Sequence, residues 1–191
     1  MIDRIQTPLF DLRRLRSIDR DEYVRIHTLS REHFEPWMPA RTPGLSFERL
    51  FERELEHAEA GWGAGTEARM VAVLPDGRLA GIFTLSQIAR GPFQNAYAGW
   101  RVAVDQVRRG IATLGVTALL DLAFAPQPLG LGLHRVQANI IPTNGASLRV
   151  AEKTGFRREG LAKAYLEIAG RWQDHVLLAK LREEHTLKFL A

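Results

Sequence analysis

The segment from Gly110 to Phe124 constrains the fold of this chain most. Its apolar residues cover most of a helical wheel, so the helix that they form must be buried on nearly every side. Strand-like stretches lie on either side of this helix, at about 95–104 and 133–141. Two strands joined through a helix that packs on their sheet form a parallel pair. The sequence therefore predicts one parallel crossover in the middle of the chain.

The stretches outside this crossover predict antiparallel strands. Residues 68–74 and 79–85 flank Asp76-Gly77, a dipeptide typical of hairpin turns because it tolerates a positive φ. The predicted fold class is α/β, with a mixed, mostly antiparallel central sheet and helices on both faces. The remaining expected elements are an early strand over 9–15, late strands over 156–168 and 172–181, helices over 19–34, 46–60 and 144–154, and a proline-rich loop over 35–44.

Length and composition indicate one domain. A chain of 191 residues has the size of a single domain, so we expect residues 1–191 to form one unit. With 46% hydrophobic and 25% charged residues, the composition is that of a globular protein and excludes wholesale disorder. No apolar run reaches the roughly 18 residues that a membrane helix needs, and the N-terminal residues lack the apolar core of a secretory signal. We therefore expect a cytoplasmic protein without a membrane partner.

Charge and metal-ligand patterns exclude several classes of partner. The net charge of +4 comes from scattered arginines rather than from one basic element, so direct nucleic-acid binding is not predicted. Because the chain has no cysteine, it has no disulfide, thiol nucleophile or thiolate metal site. The six histidines do not show the spacing of a zinc protease, and no metal is expected.

The first candidate site is the junction between the strand that ends near Val104 and the helix that starts at Gly110. The first turn of a helix has unpaired N–H groups and the positive end of the helix dipole, which suit a phosphate. Gly110 has no side chain to hold a ligand away, and Arg108 and Arg109 add positive charge. The alternative is a helix N-terminus whose small residues serve only packing.

The second candidate site is the start of the helix predicted over 144–154. Asn144 opens this helix, and Ser147 lies one turn later on the same face. The alternative is that Asn144 only caps the helix and that Ser147 is solvated. Both junctions follow strands of the predicted crossover, and α/β sheets place ligands at the carboxyl ends of such strands.

Motifs over nearly the whole chain resemble the acyl-CoA-dependent GNAT N-acetyltransferases. Residues 109–113 and 144–156 resemble the pyrophosphate loop and the coenzyme-side helix of that family. Further segments resemble the RimJ-like branch, which acetylates the N-termini of ribosomal proteins. These segments are Phe34-Glu35-Pro36-Trp37, Arg90-Gly91-Pro92-Phe93, Tyr97-Ala98-Gly99-Trp100, His134-Arg135-Val136, Tyr165-Leu166 and Gly170-Arg171-Trp172-Gln173-Asp174-His175.

The resemblance implies acetyl-CoA as the co-substrate, together with a set of contacts. The pantetheine arm would run along the strand at Trp100, Arg101 and Val102, beside a V-shaped opening between splayed strands. Asn144 and Ser147 would face the thioester. The pyrophosphate would lie on the main-chain amides of Arg108, Arg109, Gly110, Ile111, Ala112 and Thr113. Similar enzymes are commonly dimers, which leaves a homodimer open.

The residues that usually act as acid and base in the family are replaced by other residue types in this chain. The glutamate base of some relatives falls at Asn139, and their tyrosine acid falls at Ala151. An oriented neutral amine can still attack a thioester. We therefore expect Ser147 to donate a hydrogen bond to the departing thiolate and Asn139 to place a water that accepts the amine proton. His175, next to Asp174, is a further candidate base, with a structural role as the alternative.

The acceptor is the least constrained part of this interpretation. Several aromatic residues are candidates for lining an acceptor cleft and equally for packing, namely Trp37, Phe93, Tyr97, Tyr165 and Trp172. The resemblance implies transfer of an acetyl group to an α-amine, the N-terminus of a ribosomal protein. Two alternatives stay open: transfer to a small amine or antibiotic, and a non-catalytic acetyl-CoA-binding module. Val107, which stands where the loop of the family usually has Gln or Arg, favours the module, as do Asn139 and Ala151.

Overall fold

An eight-stranded sheet forms the centre of the protein, as seen in a computed structural model that describes residues 2–190. The strands are β1 Arg4–Gln6, β2 Asp11–Arg14, β3 Ala68–Val73, β4 Leu79–Ala89, β5 Asn95–Val102, β6 Arg135–Ile140, β7 Arg157–Ile168 and β8 Arg171–Leu181. Their order across the sheet is β1-β2-β3-β4-β5-β6-β8-β7. Within the described residues, every neighbouring pair is antiparallel except β5 and β6. The predicted mixed, mostly antiparallel sheet and its parallel crossover are confirmed.

Helices cover both faces of this sheet, as predicted. They are α1 Arg20–Leu29, α2 Arg31–Phe34, α3 Phe47–Ala64, α4 Ile111–Phe124 and α5 Gly145–Lys153. Tyr23 of α1 and Phe51 of α3 pack on Ile82 of β4 in one apolar cluster. On the opposite face, α4 packs on Phe83 of the same strand in a second and larger cluster. No helix within residues 2–190 is long and apolar enough to cross a membrane.

The sequence places α4 deep in the protein. A side chain at Gly115 would overlap the ring of Phe83, so this glycine lets the helix lie directly against β4. Asp121 is fully buried in α4, where it accepts hydrogen bonds from His185 Nε2 at 2.7 Å and from the Lys188 main chain at 2.8 Å. A buried carboxylate in α4 thus holds the C-terminal segment against the helix.

Several element boundaries differ from those predicted. The early strand covers only Asp11–Arg14 and pairs with β1, which the sequence did not predict because three residues are too few to show an alternating pattern. The helix predicted over 19–34 breaks at Ser30, whose hydroxyl accepts a hydrogen bond from the Val104 main chain at 3.0 Å. Helix α3 continues to Ala64, where Gly65 ends it at a φ of +70°.

The proline-rich loop contains one short 3-10 turn at Glu35–Trp37. The main-chain carbonyl of Met38 accepts a hydrogen bond from the Ala169 N–H at 2.9 Å. This bond ties the loop to the connection between β7 and β8. As a result, Trp37 is held next to the last two strands although it is far from them in sequence.

Candidate active site

An opening lies between β5 and β6. The two strands pair only where residues 95–97 of β5 face residues 135–137 of β6. Beyond Tyr97, β5 continues on β4 as far as Val102, and β6 continues on β8 as far as Ile140. The strands therefore splay apart and leave one edge of β5 without a partner strand.

The main chain of β5 presents hydrogen-bonding groups to this opening. The Ala103 N–H donates to the Ala80 carbonyl at 2.9 Å, so the main-chain groups of Ala103 and of every second residue before it point towards β4. The main-chain groups of Ala98, Trp100 and Val102 consequently point the other way, into the opening. An extended ligand can pair with them as an added strand does.

Arg101, one of the expected coenzyme contacts, does not face the opening. Its main-chain groups point towards β4, and its guanidinium lies on the α1–α3 face, 2.8 Å from Glu54. Glu54 also forms an ion pair with Arg69. Burial opposes the ionisation of the Glu54 carboxyl, but the guanidiniums of Arg101 and Arg69 outweigh it and lower the pKa of Glu54 to about 2. This buried cluster fixes the Arg101 side chain behind the strand.

The N-terminus of α4 lies at the end of the opening and is a ready anion site. Gly110 is the N-cap at a φ of +81°, and no side chain caps the helix. The N–H groups of Ile111, Ala112 and Thr113 therefore have no partner within the helix. A Cβ at Gly110 would meet nothing within 4 Å, so the space beside this residue is open. The residues present fit a diphosphate.

The two arginines of this loop add charge at its surface. Arg108 and Arg109 are exposed, and neither forms an ion pair with a described residue. Arg108 has a φ of +62°, in a region where a side chain costs about 1–2 kcal/mol. Strain of this kind is typical of ligand-binding loops. The loop can thus supply both main-chain donors and positive charge to an anion.

The start of α5 forms the opposite wall of the opening. Asn144 is the N-cap, and its Oδ1 accepts a hydrogen bond from the Ser147 main chain at 3.1 Å. Asn144 therefore caps α5, which was the alternative role expected for this residue. The hydroxyl of Ser147 is half-buried and has no hydrogen-bond partner among residues 2–190, so it is available to a ligand.

A cleft of about 170 Å³ brings these elements together. It is lined by Trp37, Ala98, Gly99, Trp100, Asn139, Ile140, Ile141, Asn144, Ser147 and His175. Ala138 and Ile140 of β6 belong to the apolar cluster under α4, so the side chain between them, Asn139, lies on the α1–α3 face. The cleft therefore connects the two faces of the sheet through the opening.

Tyr165 and Asn139 form the polar part of the α1–α3 side. The Asn139 Nδ2 donates to the Tyr165 hydroxyl at 3.2 Å, while the Asn139 Oδ1 is buried without a partner. Burial, together with the neighbouring Tyr97, raises the pKa of Tyr165 above its ordinary value, so the hydroxyl stays protonated at neutral pH. The structure thus brings together three of the predicted site residues, Tyr97, Asn139 and Tyr165.

Two of the candidate aromatic residues lie away from the cleft. Phe93 is 50% exposed in the turn before β5, at the end where β5 and β6 are paired. Trp172 is 67% exposed on the hairpin of β7 and β8. Neither residue lines the cleft. Phe93 is remote from it because β5 and β6 splay only at the far end of β5.

His175 lines the cleft, although sequence reasoning gave it only a secondary place. Its neighbour Asp174 points to the other side of β8, where it accepts hydrogen bonds from Lys163 Nζ at 2.7 Å and from the Ala164 main chain at 2.9 Å. The proximity of His175 to Asp174 in the sequence is therefore not a contact of their side chains. Only the register of β8 on β6, which places Leu177 opposite Asn139, reveals that His175 reaches the cleft.

The region described contains no cluster of metal-ligating side chains. No group of three or more His, Cys, Asp or Glu residues within 2–190 is arranged to hold a metal ion. The polar groups of the cleft are amides, hydroxyls and one imidazole, together with main-chain donors. Such a set can orient an amine and an anionic ligand.

Comparison with known proteins identifies the family. The model of the acetyltransferase (GNAT) domain matches residues 10–157. The probable N-acetyltransferase YjcK of Bacillus subtilis is 40% identical over 109 residues, which are 57% of this chain and 58% of that protein. The [Ribosomal protein uS5]-alanine N-acetyltransferase of Escherichia coli is 28% identical over 164 residues, or 84% of this chain and 82% of that protein.

A solved structure gives the same result for the whole fold. The structure of Mycobacterium smegmatis RimJ in complex with CoA-disulfide superposes with a TM-score of 0.84 at 31% identity, over 95% of this chain and 87% of that one. The similarity thus includes the strands beyond the family match. On these grounds, the chain belongs to the GNAT acetyltransferase family.

Proposed function

We propose that this protein transfers an acetyl group from acetyl-CoA to an α-amine, the N-terminal residue of a ribosomal protein. The observation that carries the proposal is the opening between β5 and β6, which connects the anion site at α4 with a polar cleft on the other face. Similarity to the uS5-alanine enzyme of E. coli over 84% of the chain supports the choice of acceptor.

In this proposal, acetyl-CoA lies on the α4–α5 side of the sheet. The N–H groups of residues 111–113 hold the diphosphate, and Arg108 and Arg109 contribute positive charge. The main-chain groups of Ala98, Trp100 and Val102 pair with the pantetheine arm. This path leads the thioester to the cleft, next to Asn144 and Ser147.

The acceptor enters from the α1–α3 side, where Trp37, Tyr97 and Tyr165 lie. None of the ten residues that line the cleft is Asp or Glu. A polyamine or an aminoglycoside carries several positive charges that would find no carboxylate here. A peptide N-terminus has a single amine followed by an uncharged backbone. The lining therefore favours a peptide α-amine over a polycation.

The chemistry needs orientation more than a strong base. An α-amine has a pKa of about 7.7–8.0, so an appreciable fraction is neutral near pH 7. Holding it against the thioester contributes about 7–11 kcal/mol to lowering the barrier in well-oriented cases. The Ser147 hydroxyl donates a hydrogen bond to the sulfur as negative charge develops there. Asn139, which lines the cleft, helps to place a water beside the amine.

A panel of acceptors tests this proposal. Release of free CoA thiol is measured with acetyl-CoA and peptides that begin with Ala, Ser or Met, beside spermidine and an aminoglycoside. The matched control is each peptide with its N-terminus already blocked. We expect thiol release with the free peptides alone. Equal turnover of the polyamine would move the substrate class to small amines, and coenzyme binding without turnover of any amine would indicate a non-catalytic module.

A further inference from the structure

We propose that His175 is the general base of the reaction, with its Nε2 as the final acceptor of the amine proton. This assignment rests on the proposed function, because it concerns the same cleft. His175 is 3% exposed and lines the cleft together with Asn139 and Ser147. Among the described residues that line it, His175 has the only side chain that can accept a proton near neutral pH.

A hydrogen bond to the main chain decides which ring nitrogen is free. The Nδ1 of His175 lies 3.0 Å from the carbonyl oxygen of Gln173. A carbonyl oxygen only accepts, so Nδ1 carries the proton and donates it. In the neutral ring, Nε2 therefore has the lone pair. The strand itself thus orients the imidazole with its basic nitrogen away from β8.

Access to this lone pair distinguishes His175 from the other buried histidine beside the sheet. The Nε2 of His27 is enclosed in the core without a partner. The Nε2 of His175 also has no hydrogen-bond partner among residues 2–190, but it is not enclosed, and the residue lines an open cleft. A ligand or a water can therefore reach it.

The surroundings of His175 let it pass the proton on. The ring of Tyr165 on β7 packs beside it, with ring centroids 5.6 Å apart, and Tyr97 adjoins Tyr165. Asn139 of β6 is uncharged, and Asp174 is paired with Lys163 on the outer side of β8. No carboxylate therefore binds the imidazolium directly, so the ring can release its proton to solvent after each turnover.

One water can relay the proton in this step. The water donates one hydrogen to the His175 Nε2, which leaves an oxygen lone pair facing the amine. The amine nitrogen forms a bond to the thioester carbonyl carbon, and its proton passes to the water as the water gives a proton to Nε2. The carbon–sulfur bond then breaks, and its electron pair leaves on the sulfur. Protons and electrons balance without a further reactant.

The substitution His175→Asn separates a base from a structural residue. The Asn amide can still donate to the Gln173 carbonyl but cannot accept the proton. We expect kcat with an N-terminal peptide to fall about 100-fold at pH 8, while the Kd for CoA changes less than twofold. The ratio of wild-type kcat to variant kcat should narrow as the pH is lowered, because a protonated imidazole is no longer a base. The matched control is His134→Asn, since the His134 side chain is exposed, and it should retain wild-type kcat.

The outcomes distinguish this proposal from the function on which it rests. A kcat of His175→Asn within threefold of wild type, with the same pH profile, would overturn the assignment and leave the proposed function intact. A wild-type protein that acetylates no amine would overturn the proposed function itself. If His175→Asn does not fold, His175→Gln places an amide near the position of Nε2, and the same loss of kcat and the same narrowing with pH are expected.

Discussion

Acid should destabilise this protein through His27. The ring of His27 stacks on Tyr23 with centroids 3.9 Å apart, and its Nδ1 lies 2.8 Å from the Tyr23 carbonyl oxygen. Burial, reinforced by Arg101, lowers the pKa of His27 from 6.5 to about 4. Between these two values the unfolded chain binds a proton that the folded chain does not. The free energy of unfolding therefore falls as the pH drops from 6.5 towards 4, and this group has no effect above that range.

The size of the effect follows from the difference in pKa. Each pKa unit corresponds to about 1.4 kcal/mol, so the loss reaches about 2 kcal/mol at pH 5 and about 3 kcal/mol at pH 4. In the variant His27→Leu, the leucine side chain has a volume similar to that of histidine, and the unpartnered Nε2 is removed. The free energy of unfolding of this variant at pH 7 should therefore stay within about 1.5 kcal/mol of the wild-type value. Between pH 7 and pH 5, the stability difference should shift by about 2 kcal/mol in favour of the variant.

Urea unfolding followed by far-UV circular dichroism at pH 7, 6 and 5 measures this shift. The matched control is His57→Leu, the same replacement at an exposed position on α3, with which the shift of His27→Leu is compared. A difference between His27→Leu and wild type that is the same at all three pH values would refute the reasoning. It would mean that the folded protein accommodates a charged His27.

Three further substitutions test separate parts of the account. Ser147→Ala should lower kcat about tenfold without changing the Kd for CoA, because one hydrogen bond to a developing charge is lost. Stopped-flow measurement of thiol release gives kcat, and an unchanged kcat would rule out the leaving-group role of Ser147. Gly115→Ala should lower the free energy of unfolding by about 1–3 kcal/mol in a urea titration, because its Cβ would overlap the Phe83 ring; an unchanged midpoint would contradict the close approach of α4 to β4. Trp37→Ala should raise the KM for the peptide several-fold and leave the Kd for CoA unchanged. Trp172→Ala, a substitution outside the cleft, should change neither the KM nor the Kd. Equal effects of the two substitutions on the KM would count against an acceptor cleft at Trp37.

Local sequence patterns were sufficient for the parts of the fold that depend on nearby residues. The apolar helix that begins after Gly110, the turn at Asp76-Gly77 and the cap at Asn144 each follow from a few adjacent residues. The parallel crossover follows from the order strand, helix, strand. By contrast, β1 has only three residues, and the helix breaks at Ser30, whose hydroxyl accepts a hydrogen bond from the N–H of Val104, a residue distant in sequence.

The orientation of the site residues was harder to predict because it depends on strand register. Arg101 and Trp100 are adjacent in sequence, but side chains alternate between the two faces along β5. Arg101 therefore lies in the buried ion cluster, and Trp100 lines the cleft. Asp174 and His175 separate in the same way on β8. A shift of the strand register by one residue would exchange the positions of the two residues in each pair, and nothing in the local sequence fixes the register.

The central claim is that the first turn of α4 binds the diphosphate of the coenzyme, and a crystal structure of the protein with CoA tests it most directly. We expect diphosphate oxygens within about 2.7–3.2 Å of the main-chain nitrogens of residues 111–113. We also expect the pantetheine arm to lie along Trp100. A complex in which CoA is bound but its diphosphate lies away from the α4 N-terminus would contradict the account.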